Sequence, residues 1–150
     1  INNASFDSYQ VITDIAAVFG AQSVIGSLDI KKTMLGSYKL VSQSGRRKPS
    51  LSVEAHIRNL LNAGVGELFL NSVDQDGTMS GFDISLVNIV AGLANVPVIA
   101  CGGAGTVEHL KSAVQLGGAS AVAAGSMFVF QGRLKAMLIN YPSDFDLFCN

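Results

Sequence analysis

Asp29 closes the apolar run SVIGSLDI over residues 23–30. A carboxylate at the end of a buried strand is placed for general acid–base work. The same residue also reads as a helix cap or as the ion-pair partner of Lys31 or Lys32. A second carboxylate lies in the loop Asp74-Gln75-Asp76-Gly77-Thr78. That loop is dense in turn formers, and Gly77 suits a tight turn at positive φ. It equally offers Asp76 and free backbone N–H groups to a polar ligand. The opening of a calcium loop is present, but Met79-Ser80-Gly81 lacks the later ligands, so no metal is expected.

Two glycine runs carry a different chemistry. Gly102-Gly103-Ala104-Gly105 precedes Thr106, a helix-capping residue type. Small residues let backbone amides approach an anion at a helix N-terminus. Gly125-Ser126 recurs about 20 residues later, the length of one helix-plus-strand unit. Either run alone reads as close packing, and the two at this spacing point to a phosphate site. Ser44-Gly45-Arg46-Arg47-Lys48-Pro49 reads as a second phosphate contact through Ser44 or an arginine, or as a solvated loop. His56 and His109 have no second ligand at metal spacing and read as surface or packing residues. Cys101 has no histidine near it in sequence and reads as a small buried strand residue.

The elements that position these residues follow from periodicity and punctuation. Helices are expected over 7–19, from Ser50 or Ser52 to Ala63, from Asp83 to Leu93, and from Thr106 to Leu116. Gly20 and Gly64 are natural stops. Strands are expected over 23–30, 67–73, 97–101 and 120–128, with a short extra strand over 38–42. A last helix is expected from Gln131 to about Asn140, broken by Tyr141-Pro142. Strands alternating with helices imply an α/β fold with a parallel sheet. Polar and glycine residues collect at every strand's C-terminal end, which favours a barrel over a doubly wound sheet with one switch point.

Bulk composition narrows the function classes. Of 150 residues, 49% are hydrophobic and 14% charged, against a usual charged share of about 25%. The mean hydropathy of +0.40 suits strands buried on both faces or a surface covered by other protein. A net charge of −1 and the lack of any basic cluster beyond residues 46–48 argue against a nucleic-acid partner. The uncharged stretch 84–107 is interrupted by Asn88, Asn95, Pro97 and Gly102-Gly103, which reads as helix, turn and strand, not as a membrane span. Two cysteines, Cys101 and Cys149, suit a reducing cytoplasm, and no signal peptide is expected. The first residue is Ile1, so a processed chain or a fragment is expected.

Taken together, INNASF, SLDIKK, SGRRKP, GVGELFLNSVDQDGTMSGFD, PVIACGGAGTVEHL and AAGSMFVF resemble the cyclase subunit family of imidazole glycerol phosphate synthase. The resemblance implies the C-terminal half of a (β/α)8 barrel as a single domain over 1–150, the family's N-terminal half lying outside it. It implies a lyase of histidine biosynthesis. Ammonia from a glutaminase partner and a phosphoribulosyl formimino carboxamide ribotide would give imidazole glycerol phosphate and aminoimidazole carboxamide ribotide. No cofactor is implied.

Residue by residue, the resemblance makes Asp29 the acid–base carboxylate and puts Asn2 and Asn3 at the end of the preceding barrel strand, as substrate-binding residues. Ser44, Asp76, Gly77, Gly102, Gly103, Ala104, Gly125 and Ser126 would bind the substrate and its phosphates. Glu67 would stand at the ammonia entrance, and Gln22 would face the glutaminase. The family's other catalytic Asp, on its first strand, has no counterpart here. The family usually carries Arg where Gln75 stands and Trp where His56 stands. The ending SMFVFQGRLKAMLINYP is similar to a surface-glycan branch, where an ammonia-delivering accessory subunit serves sugar amidation. A half-barrel that only self-associates is the third reading. Open edges and an uncovered interior face imply that the missing half is another chain, or that two copies pair.

Overall fold

The computed structural model describes residues 1–42, 50–131, 136–137, 139 and 141–142. A 3-10 turn, Asn3–Phe6, leads into α1 (Gln10–Phe19). Then follow β1 (Ile25–Lys32), β2 (Tyr38–Leu40), α2 (Val53–Ala63), β3 (Glu67–Ser72), α3 (Ile84–Leu93), β4 (Val98–Cys101), α4 (Val107–Gln115) and β5 (Ala121–Val122). A short helix α5 (Ser126–Val129) and the strands β6 (Phe130–Gln131) and β7 (Ala136–Met137) close the described chain.

Helices α2, α3 and α4 begin where a side chain satisfies one of their orphan N–H groups. Ser52 accepts from Ala55 N at 3.2 Å, Asp83 from Leu86 N at 3.1 Å, and Thr106 from His109 N at 3.3 Å. Gly64, at φ 96, ends α2 in the left-handed region. Val53, His56, Ile57 and Leu60 are the buried positions of α2, a one-sided stripe at helical spacing. Helix α1 starts three residues later than its periodicity suggests, because Asn3–Phe6 takes the tighter 3-10 geometry first.

The five-stranded sheet has the order β2-β1-β3-β4-β5. Strands β1, β3, β4 and β5 are parallel, and each lies beside its successor in the chain. No reversal of strand order occurs among them, so there is no switch point of the doubly wound kind. Helices α1 to α4 touch one another in the same succession. This is an arc of a barrel. The expected α/β fold, parallel strands alternating with helices in a partial (β/α)8 arrangement, is the fold found.

Alternation along the strands separates two faces. Leu28, Ile30, Leu68, Leu70, Val98 and Ala100 are buried in the core with Ile12, Ile57, Leu60 and Val90 from the helices. Ser27, Asp29, Glu67, Phe69, Asn71, Ile99 and Cys101 point the other way and are only half-buried, with Ile25 exposed. Register stacks this second face in rows. Ile25 pairs with Glu67, Ser27 with Phe69 and Ile99, and Asp29 with Asn71 and Cys101.

Two expectations are corrected. The strand expected over 120–128 stops at Val122. Its neighbour among the described strands, β4, ends where Gly102 turns away at φ 93, and the last bond between them runs from Ala123 N to Ala100 O. Residues 126–129 instead form the short helix α5. The helix expected from Gln131 to Asn140 is replaced, in its described part, by an antiparallel pair in which Phe130 faces Met137 and Gln131 faces Ala136. Phe130, an aromatic residue that favours strand, ends α5 and opens this pair.

Candidate functional site

Asp29 lies next to the C-terminal end of the apolar part of β1, on the open face of the sheet. Both of its carboxylate oxygens are held by amides. Asn2 Nδ2 donates to Oδ2 at 2.8 Å, and Asn71 Nδ2 donates to Oδ1 at 3.2 Å. Asn2 reaches this position because Ile1 runs along the edge of β1: the Ile1 amino group donates to Ile25 O at 2.6 Å and Ser27 N to Ile1 O at 2.8 Å. The carboxylate is neither a helix cap nor the partner of Lys31. Lys31 Nζ lies 3.5 Å from Asp74, and Lys32 N donates to the same residue at 2.7 Å.

Beside this cluster a small cleft opens at the C-terminal ends of β3, β4 and β5. Its walls are Asp76, Gly77, Cys101, Gly102, Gly103, Ala104, Ala123, Ala124, Gly125 and Ser126. The cleft is small and open to solvent, a place for one small group such as a phosphate and not for a whole drug-sized ligand. The glycines are needed for close backbone approach. A side chain at Gly103 would put its Cβ 2.0 Å from Gly81 O, and one at Gly105 would stand 2.1 Å from Met79 O. The loop between β3 and α3 therefore packs directly on the glycine turn, fastened by Gly81 N to Gly103 O at 2.8 Å. Backbone N–H groups from this turn, just ahead of α4, are the donors an anion would find.

Cys101 lines the cleft and sits beside Asn71 in register. Burial pushes its thiol up, and the charges of Asp76 and Asp29 push the same way against a Gly102 backbone bond. Its thiol stays protonated as part of the cleft wall.

The residues expected to act therefore separate into groups. Asp76, Gly77, Gly102, Gly103, Ala104, Gly125 and Ser126 come together in the cleft. Asp29 and Asn2 form the adjoining cluster. Asn3 is exposed and accepts from Ser42 Oγ at 3.1 Å, away from the carboxylate of Asp29. Ser44 and its neighbours up to Pro49 lie outside the described residues. Glu67 begins β3 on the open face, two rows below Asn71, or roughly 13 Å along the strand. Gln22 is exposed in the turn before β1, at the same end of the sheet as Glu67.

Asn71 was not among the expected residues. Its only sequence signal is a polar residue inside the strand ELFLNS, on the same face as Glu67. The two histidines are packing residues. His56 is fully buried, stacked on Phe6 with ring centroids 4.4 Å apart, and its Nδ1 bonds the Tyr9 hydroxyl. His109 Nδ1 accepts from Gly105 N at 3.2 Å, bracing the glycine turn. Among the described residues no group of His, Cys, Asp and Glu could hold a metal ion, and no helix is long and apolar enough to cross a membrane.

Comparison with known proteins places this arrangement. The chain is 46% identical over 142 residues to the putative imidazole glycerol phosphate synthase subunit hisF2 of Pseudomonas aeruginosa, which covers 95% of this chain and 57% of that protein. It is 36% identical over 147 residues to the putative imidazole glycerol phosphate synthase subunit HisF of Leptospira borgpetersenii, covering 97% and 58%. A putative subunit hisF3 of Vibrio vulnificus is 38% identical over 144 residues, covering 95% and 55%. The chain thus spans rather more than half the length of the curated relatives it matches. The histidine biosynthesis protein model matches residues 1–135, and the chain belongs to that family.

Proposed function

We propose that this chain is the phosphate-binding, acid–base half of a cyclase of the imidazole glycerol phosphate synthase type. The observation that carries the reading is the meeting of the glycine cleft with the clamped carboxylate of Asp29 at one end of the sheet. In this reading the N–H groups of the glycine turn hold one phosphate of a ribotide. Asp76, a carboxylate in the cleft wall, accepts from a ligand hydroxyl. Asp29 moves a proton as the imidazole ring closes, its orientation held by Asn2 and Asn71. Ammonia would come from a glutaminase partner, past Glu67, with Gln22 at the docking end. The putative synthase subunits named among the relatives support this class of reaction.

Residues 1–150 form one half-barrel domain in this proposal. Its open face, with Ile25, Ser27, Phe69 and Ile99, is covered by a complementary half or by a second copy. The test joins this chain to the N-terminal segment of the Pseudomonas relative and measures ammonia-dependent conversion of the ribotide. Turnover that collapses in Asp29→Asn is expected. Turnover indifferent to that substitution, or absent although the chain binds inorganic phosphate, would overturn the assignment of Asp29.

A further inference from the structure

We propose that Asn71 is a positioning residue that ties the reactive carboxylate to the anion cleft, so that a phosphate group in the cleft resets the orientation of Asp29. The amide of Asn71 has two sides. Its Nδ2 donates to Asp29 Oδ1 at 3.2 Å. Its Oδ1 is buried, has no hydrogen-bond partner among the described residues, and lies against the glycine turn. A Cβ placed on Gly102 would stand 3.1 Å from that oxygen and 2.6 Å from Ser72 O.

An amide oxygen with no donor of its own has no bond to fix its angle. What fixes it is the Asp29 bond on one side and the Gly102 backbone on the other. Packing this close transmits small displacements, because protein interiors have little free space to absorb them. Gly102 and Gly103 are also the residues that a bound anion would draw on. A shift of the turn is therefore passed to Asn71, from Asn71 to Asp29, and from Asp29 Oδ2 to Asn2 at 2.8 Å. The Asn2 Oδ1 atom is likewise buried and unpartnered among the described residues, so no second hydrogen bond from that oxygen opposes the movement. Register places Asn71 between Asp29 and Cys101, the strand neighbours on either side, so it stands between the carboxylate and a wall of the cleft.

This inference rests on the reading of the cleft as an anion site and of Asp29 as the reacting group. The test keeps the two apart. Inorganic phosphate is titrated into the 15N-labelled chain, with sodium chloride at matched ionic strength as the control. Backbone amides of Gly103 and Ser126 report occupancy, and the side-chain amides of Asn71 and Asn2 report the relay. All four are expected to shift along one saturation curve. In Asn71→Leu, which keeps the shape and removes both hydrogen-bonding groups, Gly103 should still respond and the Asn2 side chain should lose its response. Glycine shifts without side-chain shifts in the unsubstituted chain overturn the relay while leaving the anion site standing. An Asn2 response that survives Asn71→Leu overturns it as well. No saturable glycine shift removes the anion site and the relay with it. If Asn71→Leu fails to fold, the unsubstituted chain alone decides.

Discussion

Replacing Gly103 by alanine puts the packing of the cleft to a quantitative test. Gly103 has φ 109, beyond the region that an alanine tolerates, and holding a side chain there costs about 1–3 kcal/mol. The new Cβ would also lie 2.0 Å from Gly81 O, a backbone atom that cannot step aside by changing rotamer. Relief requires the loop to separate from the turn, which breaks the Gly81 N to Gly103 O bond at about 1 kcal/mol. The sum is about 2–4 kcal/mol, a large share of the roughly 5–15 kcal/mol by which domains are stable. Gly36→Ala is the matched control. Its φ is 83, but nothing lies within 4 Å of the added Cβ, so only the strain of about 1–2 kcal/mol applies. Urea unfolding followed by circular dichroism should place Gly103→Ala clearly below Gly36→Ala, and both below the unsubstituted chain. Saturating phosphate should stabilise the unsubstituted chain by about 2.7 kcal/mol at a hundredfold excess over Kd, and Gly103→Ala by much less. A Gly103→Ala chain as stable as Gly36→Ala would refute the claim that the loop is packed directly onto the glycine turn.

Burial holds the His56 imidazole at about 4, below its ordinary 6.5. The unfolded chain then binds a proton that the folded chain refuses, so stability is full above about 6.5 and falls as the pH drops towards 4, by about 3 kcal/mol in all. His56→Phe should flatten that part of the stability–pH curve. Tyr38 is pushed up to about 12 by burial and then by the hydrogen bond and charge of Asp83. Its contribution is present below pH 10 and lost as the pH rises towards 12, and an ultraviolet absorbance titration should find one tyrosine ionising late, absent in Tyr38→Phe. Thr106→Ala removes the cap of α4 and should lower stability by about 1 kcal/mol in urea unfolding.

What was legible in the sequence, and what was not, divides along a physical line. Caps and stops are local chemistry, and Ser52, Asp83, Thr106 and Gly64 all act where their residue types suggest. The glycine pair at 102–103 was legible for the same reason, since positive φ and close approach belong to one residue at a time. The end of the chain was not. Whether residues 123–128 stay extended depends on how far β4 runs beside them, and β4 stops at Cys101. Asn71 was hidden by the same kind of dependence. Within ELFLNS it is one polar residue among half-buried ones, with nothing local to set it apart. It acquires a role only when β3 aligns with β1 so that Leu70 faces Leu28 and Asn71 faces Asp29. Had the register slipped by one residue, Asn71 would have faced the helices and Ser72 the carboxylate's side of the sheet. The core forbids that slip, because Leu68 and Leu70 are buried against the helices at 0% and 1% exposure. The apolar residues of β3 thus aim the polar one, and Asp29 has its second amide because two leucines on the opposite face cannot turn outward.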